Sequence, residues 1–269
     1  MTQNKPLTVP AEEVKSCCAN VYESDWARLL LGDSFHPGGL ALTERLGELL
    51  RLGPGKRVLD VAAGKGTSAI FLARRFGCKV VGVDYSGRNV AEAVRAAEEA
   101  GVADLVSFRQ GDAERLPFAG GEFGAVVCEC AYCTFPDKAA AAREFHRVLR
   151  PGGSVGLSDL TRAGEAPPEL RTLLAWVACL GDARPVEEYA GHLEAAGFIH
   201  LSVEAHDEDL GEMVRGVRAK LLSAELMSKL GKLMLPVGNL NQAKQMARAA
   251  ATAVEQGSLG YALLIAVRG

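Results

Sequence analysis

Between Lys56 and Asp159 the chain alternates short apolar runs with longer stretches of helical spacing, and this alternation limits the possible folds more than any other feature. The runs are Arg57 to Val61, Lys79 to Asp84, Val106 to Gln110, Gly124 to Cys130 and Ser154 to Asp159. Each is too short for a helix, rich in β-branched residues and bounded by turn formers, as buried strands are. Helical segments at Ser68 to Phe76, Val90 to Ala100 and Lys138 to Leu149 separate most of them. Strands spaced by helices pair in parallel through right-handed crossovers. The pattern predicts a doubly wound α/β sheet with helices on both faces.

Helical periodicity also covers Glu12 to Leu31 and Leu40 to Leu50, interrupted by breaker residues from Gly32 to Gly39 and closed by Gly53-Pro54-Gly55. After Asp159 the chain reads as helices over Pro168 to Leu180 and Val186 to Ala196, then an extended stretch from Ile199 to Ala205. A helix pair follows at Glu208 to Leu233 and Asn241 to Glu255, ahead of a strand-like Tyr261 to Val267. We therefore expect an N-terminal helical lid over 1–50 and one domain over 51–269, with a helical insertion at about 206–257 before the last strand. The 269 residues suffice for a large core. With 30 Lys+Arg against 33 Asp+Glu the net charge is -3, which gives no field for nucleic acid. No run reaches the roughly 18 apolar residues of a membrane span, and Met1 to Pro10 lacks a signal-like apolar core. Seven cysteines, an odd number without disulfide-scaffold spacing, point to reduced thiols and a cytoplasmic protein.

Val58 to Thr67 is a strand running into a turn with Gly64 and Gly66 and then a helix, which lets backbone approach a ligand closely. Asp84 ends the second strand about twenty residues later, where a carboxylate can take both hydroxyls of a nucleoside ribose. Gly111-Asp112-Ala113 follows the third strand, where an acid can accept from an adenine amino group. With Leu149-Arg150-Pro151-Gly152-Gly153 leading into the fifth strand, the series from Arg57 to Asp159 resembles the class I S-adenosyl-L-methionine-dependent methyltransferases. The resemblance implies a Rossmann-like methyltransferase sheet. It puts Asp60, Ala62, Gly64, Gly66 and Thr67 at the methionine end of the cofactor, Asp84 and Tyr85 at the ribose, and Asp112 and Ala113 at the adenine. Glu129 stands where a side chain can meet the cofactor amino group or the methyl acceptor, or serve only at the surface or the strand end. Ala62 departs from the family, which often has a glycine there. A NAD-binding protein shares the strand and turn but has no role for the third-strand Gly-Asp or for Leu-Arg-Pro-Gly-Gly.

Val127 to Cys133 carries Cys128, Cys130 and Cys133 at the carboxyl end of the fourth strand, where α/β sheets open onto their ligand crevice. Cys128 and Cys130 point to one face while the strand lasts. Cys17 and Cys18 lie in the first helix and Cys179 in the helix after the fifth strand, both plausible covers for that crevice. Thiolates are soft ligands, and three of them suit arsenic(III). Cys130, Pro136-Asp137-Lys138, Ser158-Asp159, Trp176 and Cys179-Leu180-Gly181 together resemble the arsenite methyltransferases. That resemblance places the two binding thiols on Cys130 and Cys179, and a redox thiol on Cys17 or Cys18. It implies Cys18, Cys130 and Cys179 as catalytic thiols, Cys17, Cys18, Cys130 and Cys179 as metalloid ligands, and a thiol reductant as partner.

Other readings stand beside this one. Cys78 at a strand start suits core filling, and so do Cys130 and Cys179. Cys128, Cys130 and Cys133 could bind zinc, but no second ligand pair follows at zinc spacing. His36 with Gly38-Gly39 is either a loop over the cofactor or a turn, and His146 is structural. His192, His200 and His206 have no informative spacing. An organic small molecule is an alternative acceptor, with the late helices forming an apolar pocket, and a non-catalytic metalloid-binding protein is a third possibility.

Overall fold

A computed structural model of the chain describes residues 9–23, 35–229 and 240–269. Its helices are α1 (Ala11–Tyr22), α2 (Gly39–Leu49), α3 (Thr67–Phe76), α4 (Gly87–Glu99), α5 (Lys138–Val148), α6 (Leu173–Val177), α7 (Val186–Ala195), α8 (Asp207–Lys229) and α9 (Leu240–Glu255). The strands are β1 (Arg57–Val61), β2 (Lys79–Asp84), β3 (Val106–Gln110), β4 (Phe123–Glu129), β5 (Leu149–Arg162), β6 (Phe198–Ala205) and β7 (Leu259–Arg268). They form one seven-stranded sheet in the order β3-β2-β1-β4-β5-β7-β6.

The expected doubly wound core is present: β1 to β5 pair in parallel, and β1 and β2 run in register from Arg57↔Lys79 to Val61↔Val83. Strand β7 is antiparallel to both of its neighbours, a reversal that periodicity does not reveal. Helices α8 and α9 fall between β6 and β7, as the insertion requires. Strand order reverses between β1 and β4, and in such sheets the crevice beyond the carboxyl strand ends at that point takes the ligand.

Val58, Leu59, Val126, Val127, Val155 and Leu157 are fully buried on these central strands. Each contributes about 1.5–3 kcal/mol of apolar burial. Leu46 and Leu50 of the α2 segment pack so closely on β5 that a Cβ at Gly156 would lie 2.8 Å from Leu46 Cδ1.

Two elements differ from the sequence expectation. Strand β5 starts at Leu149, because Leu149 already pairs with Phe123 and a bulge absorbs Pro151-Gly152-Gly153 before Ser154 pairs with Ala125. The helix expected over Pro168 to Leu180 breaks into a 3-10 turn (Pro168–Leu170) and the short α6. Thr172 starts α6 by accepting from the Ala175 N–H, and Cys179 ends it with φ 65°. Leu180 and Gly181 then donate back to the Ala175 carbonyl at 2.9 and 2.8 Å. A side chain at Gly181 would meet Trp176 N at 2.6 Å, so only glycine closes this reversal. The first helix ends at Tyr22, and its expected continuation from Ser24 to Leu31, like the end of the late helix from Leu230 to Leu233, lies outside the described residues. Among the described residues no helix is long and apolar enough to cross a membrane.

Candidate active site

The turn after β1 folds back on β2. Ala63 N–H donates to the Val83 carbonyl at 3.0 Å, and Ala62 takes the left-handed φ of 59° that glycine adopts without strain. Gly64 N–H and Ser86 N–H each donate to Asp84, both at 2.8 Å, which locks this carboxylate at the end of β2. Burial pushes the Asp84 pKa up, and these backbone donors pull against it. Asp60 is 2% exposed, and its Oδ2 has no hydrogen-bond partner although the residue lines the cleft. Burial, then the charges of Glu129 and Asp84, hold its pKa well above the carboxylate range. A buried acceptor with an open lone pair is a place for an incoming donor or cation.

Every cofactor residue expected from sequence lines this cleft except Gly66. Gly66 is the left-handed cap of α3, and a Cβ there would lie 2.5 Å from Phe108 Cζ, so its role is close packing. Residues without a sequence signal brace the cleft residues. Lys15 of α1 reaches Asp112 at 2.8 Å and Glu114 at 2.5 Å. Tyr85 donates to Glu12, and Ser86 Oγ donates to Glu23 at 2.5 Å. Thr43 donates to both oxygens of Glu129 at 3.1 Å, and His36 Nε2 lies 3.7 Å from Glu129 Oε2. His36 is buried on the cleft wall, which favours the loop reading over a simple surface turn.

The thiols come from three parts of the chain. Strand β4 stops at Glu129, and Cys130 turns left-handed with φ 50°, so the same-face argument for Cys128 and Cys130 ends one residue too early. Cys128 stays sealed in the strand, while Cys130 lines the cleft. Cys179 Sγ lies 3.1 Å from the Cys130 carbonyl, to which its thiol donates, and 3.5 Å from the Tyr22 hydroxyl. Cys130 and Cys133 both hydrogen bond to Cys179; with Tyr22 and the Lys138 charge they draw the Cys179 thiol well below its usual range. The Cys130 thiol is pushed up by its bond to Cys179 and by burial, and the Cys133 thiol by burial and then Cys179. Cys179 therefore loses its proton first in this group.

Cys18 lines the cleft from α1, and burial followed by the Cys179 charge pushes it up to about 12. Cys17, its neighbour on the helix, is not on that wall, because adjacent helical residues point apart. Cys78 is core filler, buried with its sulfur 3.5 Å from the Leu72 carbonyl. Among the described residues no three His, Cys, Asp or Glu side chains stand in ready metal-holding geometry. Neither the zinc trio nor the expected metalloid set is thus preassembled, and the Cys179 sulfur meets the Cys130 carbonyl and the Tyr22 hydroxyl.

The Methyltransferase domain family matches residues 58–153. The chain is 31% identical to methyltransferase GfsG of Streptomyces halstedii over 208 residues, covering 76% of this chain and 73% of that protein. The chain is a class I S-adenosylmethionine-dependent methyltransferase. This methyltransferase is also 27% identical to an arsenite methyltransferase of Halobacterium salinarum over 202 residues, or 71% of this chain and 51% of that protein's length. Its fold matches the crystal structure of a putative sarcosine dimethylglycine methyltransferase from Galdieria sulphuraria with a TM-score of 0.80 at 18% identity, covering 93% and 98% of the two chains.

Behind the thiols of the methyltransferase sits Asp159, fully buried at the end of β5. It accepts from Cys133 N–H at 2.9 Å and Leu160 N–H at 2.7 Å. Burial, then the Cys179 charge, raises its pKa to about 7. In the unfolded chain the group titrates near 3.8, so the native state holds the extra proton between those values. Its stabilising contribution is complete below pH 3.8 and is lost as pH rises through about 7. Urea midpoints across that range should therefore fall less steeply with pH in Asp159→Asn than in the parent; identical slopes would show that Asp159 does not carry this linkage.

Proposed function

We propose that this methyltransferase methylates arsenic(III) held by Cys130 and Cys179. The observation that carries the reading is the approach of the Cys179 thiol to within 3.1 Å of the carbonyl of Cys130, 49 residues away in sequence, directly behind the cleft wall that Cys130 lines. Two soft sulfurs beside a cleft are a poor way to hold an amine or alcohol and a good way to hold a thiophilic centre. The name of the Halobacterium relative agrees with this assignment.

The residues fit the cofactor. Asp84, held by two backbone donors, presents its remaining acceptor capacity to a ribose diol, Asp60 offers its unpartnered Oδ2 to the methionine ammonium, and Asp112 with Ala113 borders the adenine. When bound, S-adenosylmethionine supplies an electrophilic methyl carbon on a sulfonium sulfur. The chain's part is placement: it fixes the arsenic by sulfur so that its lone pair faces that carbon, and α1 with Tyr22 and Cys18 shuts water out of the approach. In this reading residues 1–50 act as a lid, the Glu129-Thr43-His36 group steadies the cleft floor, and an external thiol reductant, itself oxidised to a disulfide, supplies the two electrons that return the methylated arsenic(V) to arsenic(III).

The test is an arsenite titration followed by Trp176 fluorescence, with and without S-adenosylmethionine, and then an assay of methyl transfer. Trp176 is a suitable reporter because its indole N–H donates to the Thr134 carbonyl at 3.1 Å, beside the thiols. Saturable arsenite binding with methyl transfer supports the reading. Cofactor binding without arsenite binding favours an organic acceptor, and arsenite binding without transfer favours a sensor.

A further inference from the structure

We propose that Lys15 and Tyr22 of α1 are positioning residues that join the two ends of the cleft: bound S-adenosylmethionine holds α1 down and so keeps Tyr22 on the Cys179 sulfur. Coupling of this kind rests on the cofactor placement at Asp84 and Asp112 in the reading above, and on nothing about the acceptor.

The polar ties of α1 go to both sites. Lys15 reaches Asp112 at 2.8 Å and Glu114 at 2.5 Å, where the adenine is placed. Glu12 accepts from the Tyr85 hydroxyl, and Glu23, at the end of α1, accepts from Ser86 Oγ at 2.5 Å. Ser86 is also the residue whose N–H holds Asp84 at 2.8 Å. On the acceptor side the Tyr22 hydroxyl donates to the Val177 carbonyl at 3.1 Å and lies 3.5 Å from Cys179 Sγ. Lys15, Cys18, Ala19 and Tyr22 follow helical spacing, and this one face of α1 lines the cleft. Seven residues at 1.5 Å each set Lys15 and Tyr22 about 10 Å apart on a single stiff rod.

Little else fastens that rod. It has 12 residues, a length at which a helix is marginal by itself, and Val14 alone among them is buried. An element seated mainly by polar contacts opens locally well before the whole fold does. A ligand in the cleft meets the Lys15 face only when α1 is down, so it favours the closed form by the worth of those contacts. Lys15 does not have to leave Asp112 for this. A carboxylate offers about four acceptor positions, and Lys15 and the Glu114 N–H use one each, which leaves room for the adenine amino group. Cys179 is 2% exposed and is not on the cleft wall, so a bound cofactor does not reach it and acts on it through α1. An order of binding results: an acceptor that needs Cys179 enters before the cofactor seats the helix.

Iodoacetamide labelling of the full chain, read peptide by peptide in a mass spectrometer, tests this. Cys78 is sealed in the core and reports global unfolding, and Cys130 on the wall reports direct screening by the cofactor. Saturating S-adenosylmethionine should slow labelling of Cys179 at least about tenfold in the parent. Lys15→Met changes a side chain two turns away from Tyr22. It should nevertheless speed Cys179 labelling in the free chain about tenfold and cut the cofactor's protection to about threefold or less, with Cys78 unchanged. Lys15→Arg keeps the ion pairs and should label as the parent does. Tyr22→Ala should leave Cys179 reactive with or without cofactor while Cys130 stays screened. Parent-like labelling of Cys179 in both Lys15→Met and Tyr22→Ala, or equal cofactor protection in Lys15→Met and the parent, overturns the coupling and leaves the cofactor placement standing. Cofactor affinity unmoved by Asp112→Ala removes the adenine placement and the coupling with it.

Discussion

Methyl transfer to arsenite is expected to fall by at least about a hundredfold in Cys179→Ser, with S-adenosylmethionine affinity unchanged within about twofold. The serine oxygen is nearly the size of the sulfur and can still donate to the Cys130 carbonyl, which Cys179 Sγ meets at 3.1 Å, so the reversal around Gly181 should survive. What disappears is a soft ligand and the most acidic thiol of the group. Cys179 is also not on the cleft wall, so cofactor binding has no reason to change. Cys130→Ser should behave alike in transfer of labelled methyl and in calorimetric titration with the cofactor. Full activity in both variants would end the metalloid assignment and leave the organic acceptor as the better reading.

Removing the carboxylate of Asp84 should have the opposite signature. Asp84→Ala takes away an ionised acceptor facing the cleft, and two hydrogen bonds to such a group at roughly 1.5 kcal/mol each amount to about a hundredfold in cofactor affinity. It also strands the Gly64 and Ser86 N–H groups that now meet it at 2.8 Å, so the chain should lose stability by about 1–3 kcal/mol. Asp84→Asn keeps acceptors for part of this and should fall between the two. Calorimetry with S-adenosylmethionine, urea unfolding and arsenite binding separate the effects: arsenite binding without cofactor should persist in the folded fraction. Undiminished cofactor affinity in Asp84→Ala would remove the ribose assignment.

The strands of the sheet were legible because each buried run is short, β-branched and bounded by turn residues, and β1, β2 and β3 fall where periodicity puts them. Chain direction in β7 was not legible, since an apolar run carries no sign of its neighbour's orientation. The break in the helix before Cys179 was hidden for a related reason. It depends on a backbone contact between Gly181 and Trp176, whereas the apolar spacing of Leu173 to Leu180 suits a continuous helix. In the cleft, acids at strand ends could be read from spacing to their turns. Lys15 and Thr43 could not, because they reach Asp112 and Glu129 across 97 and 86 residues, and a lysine or threonine on a helix looks like any solvated face. Cys133 carried a partial signal, as one of three thiols in six residues, but only the structure shows that it leaves the strand of Cys128 and is buried on the 3-10 turn.

The two thiols at the heart of the site belong to segments that the fold, and nothing covalent, keeps together: the end of β4 and the reversal after α6. A guest gripped by both would act as a removable staple. Melting temperature should then climb with occupancy and return when a competing dithiol strips the guest away, so heat resistance itself becomes a gauge of how fully the chain is loaded.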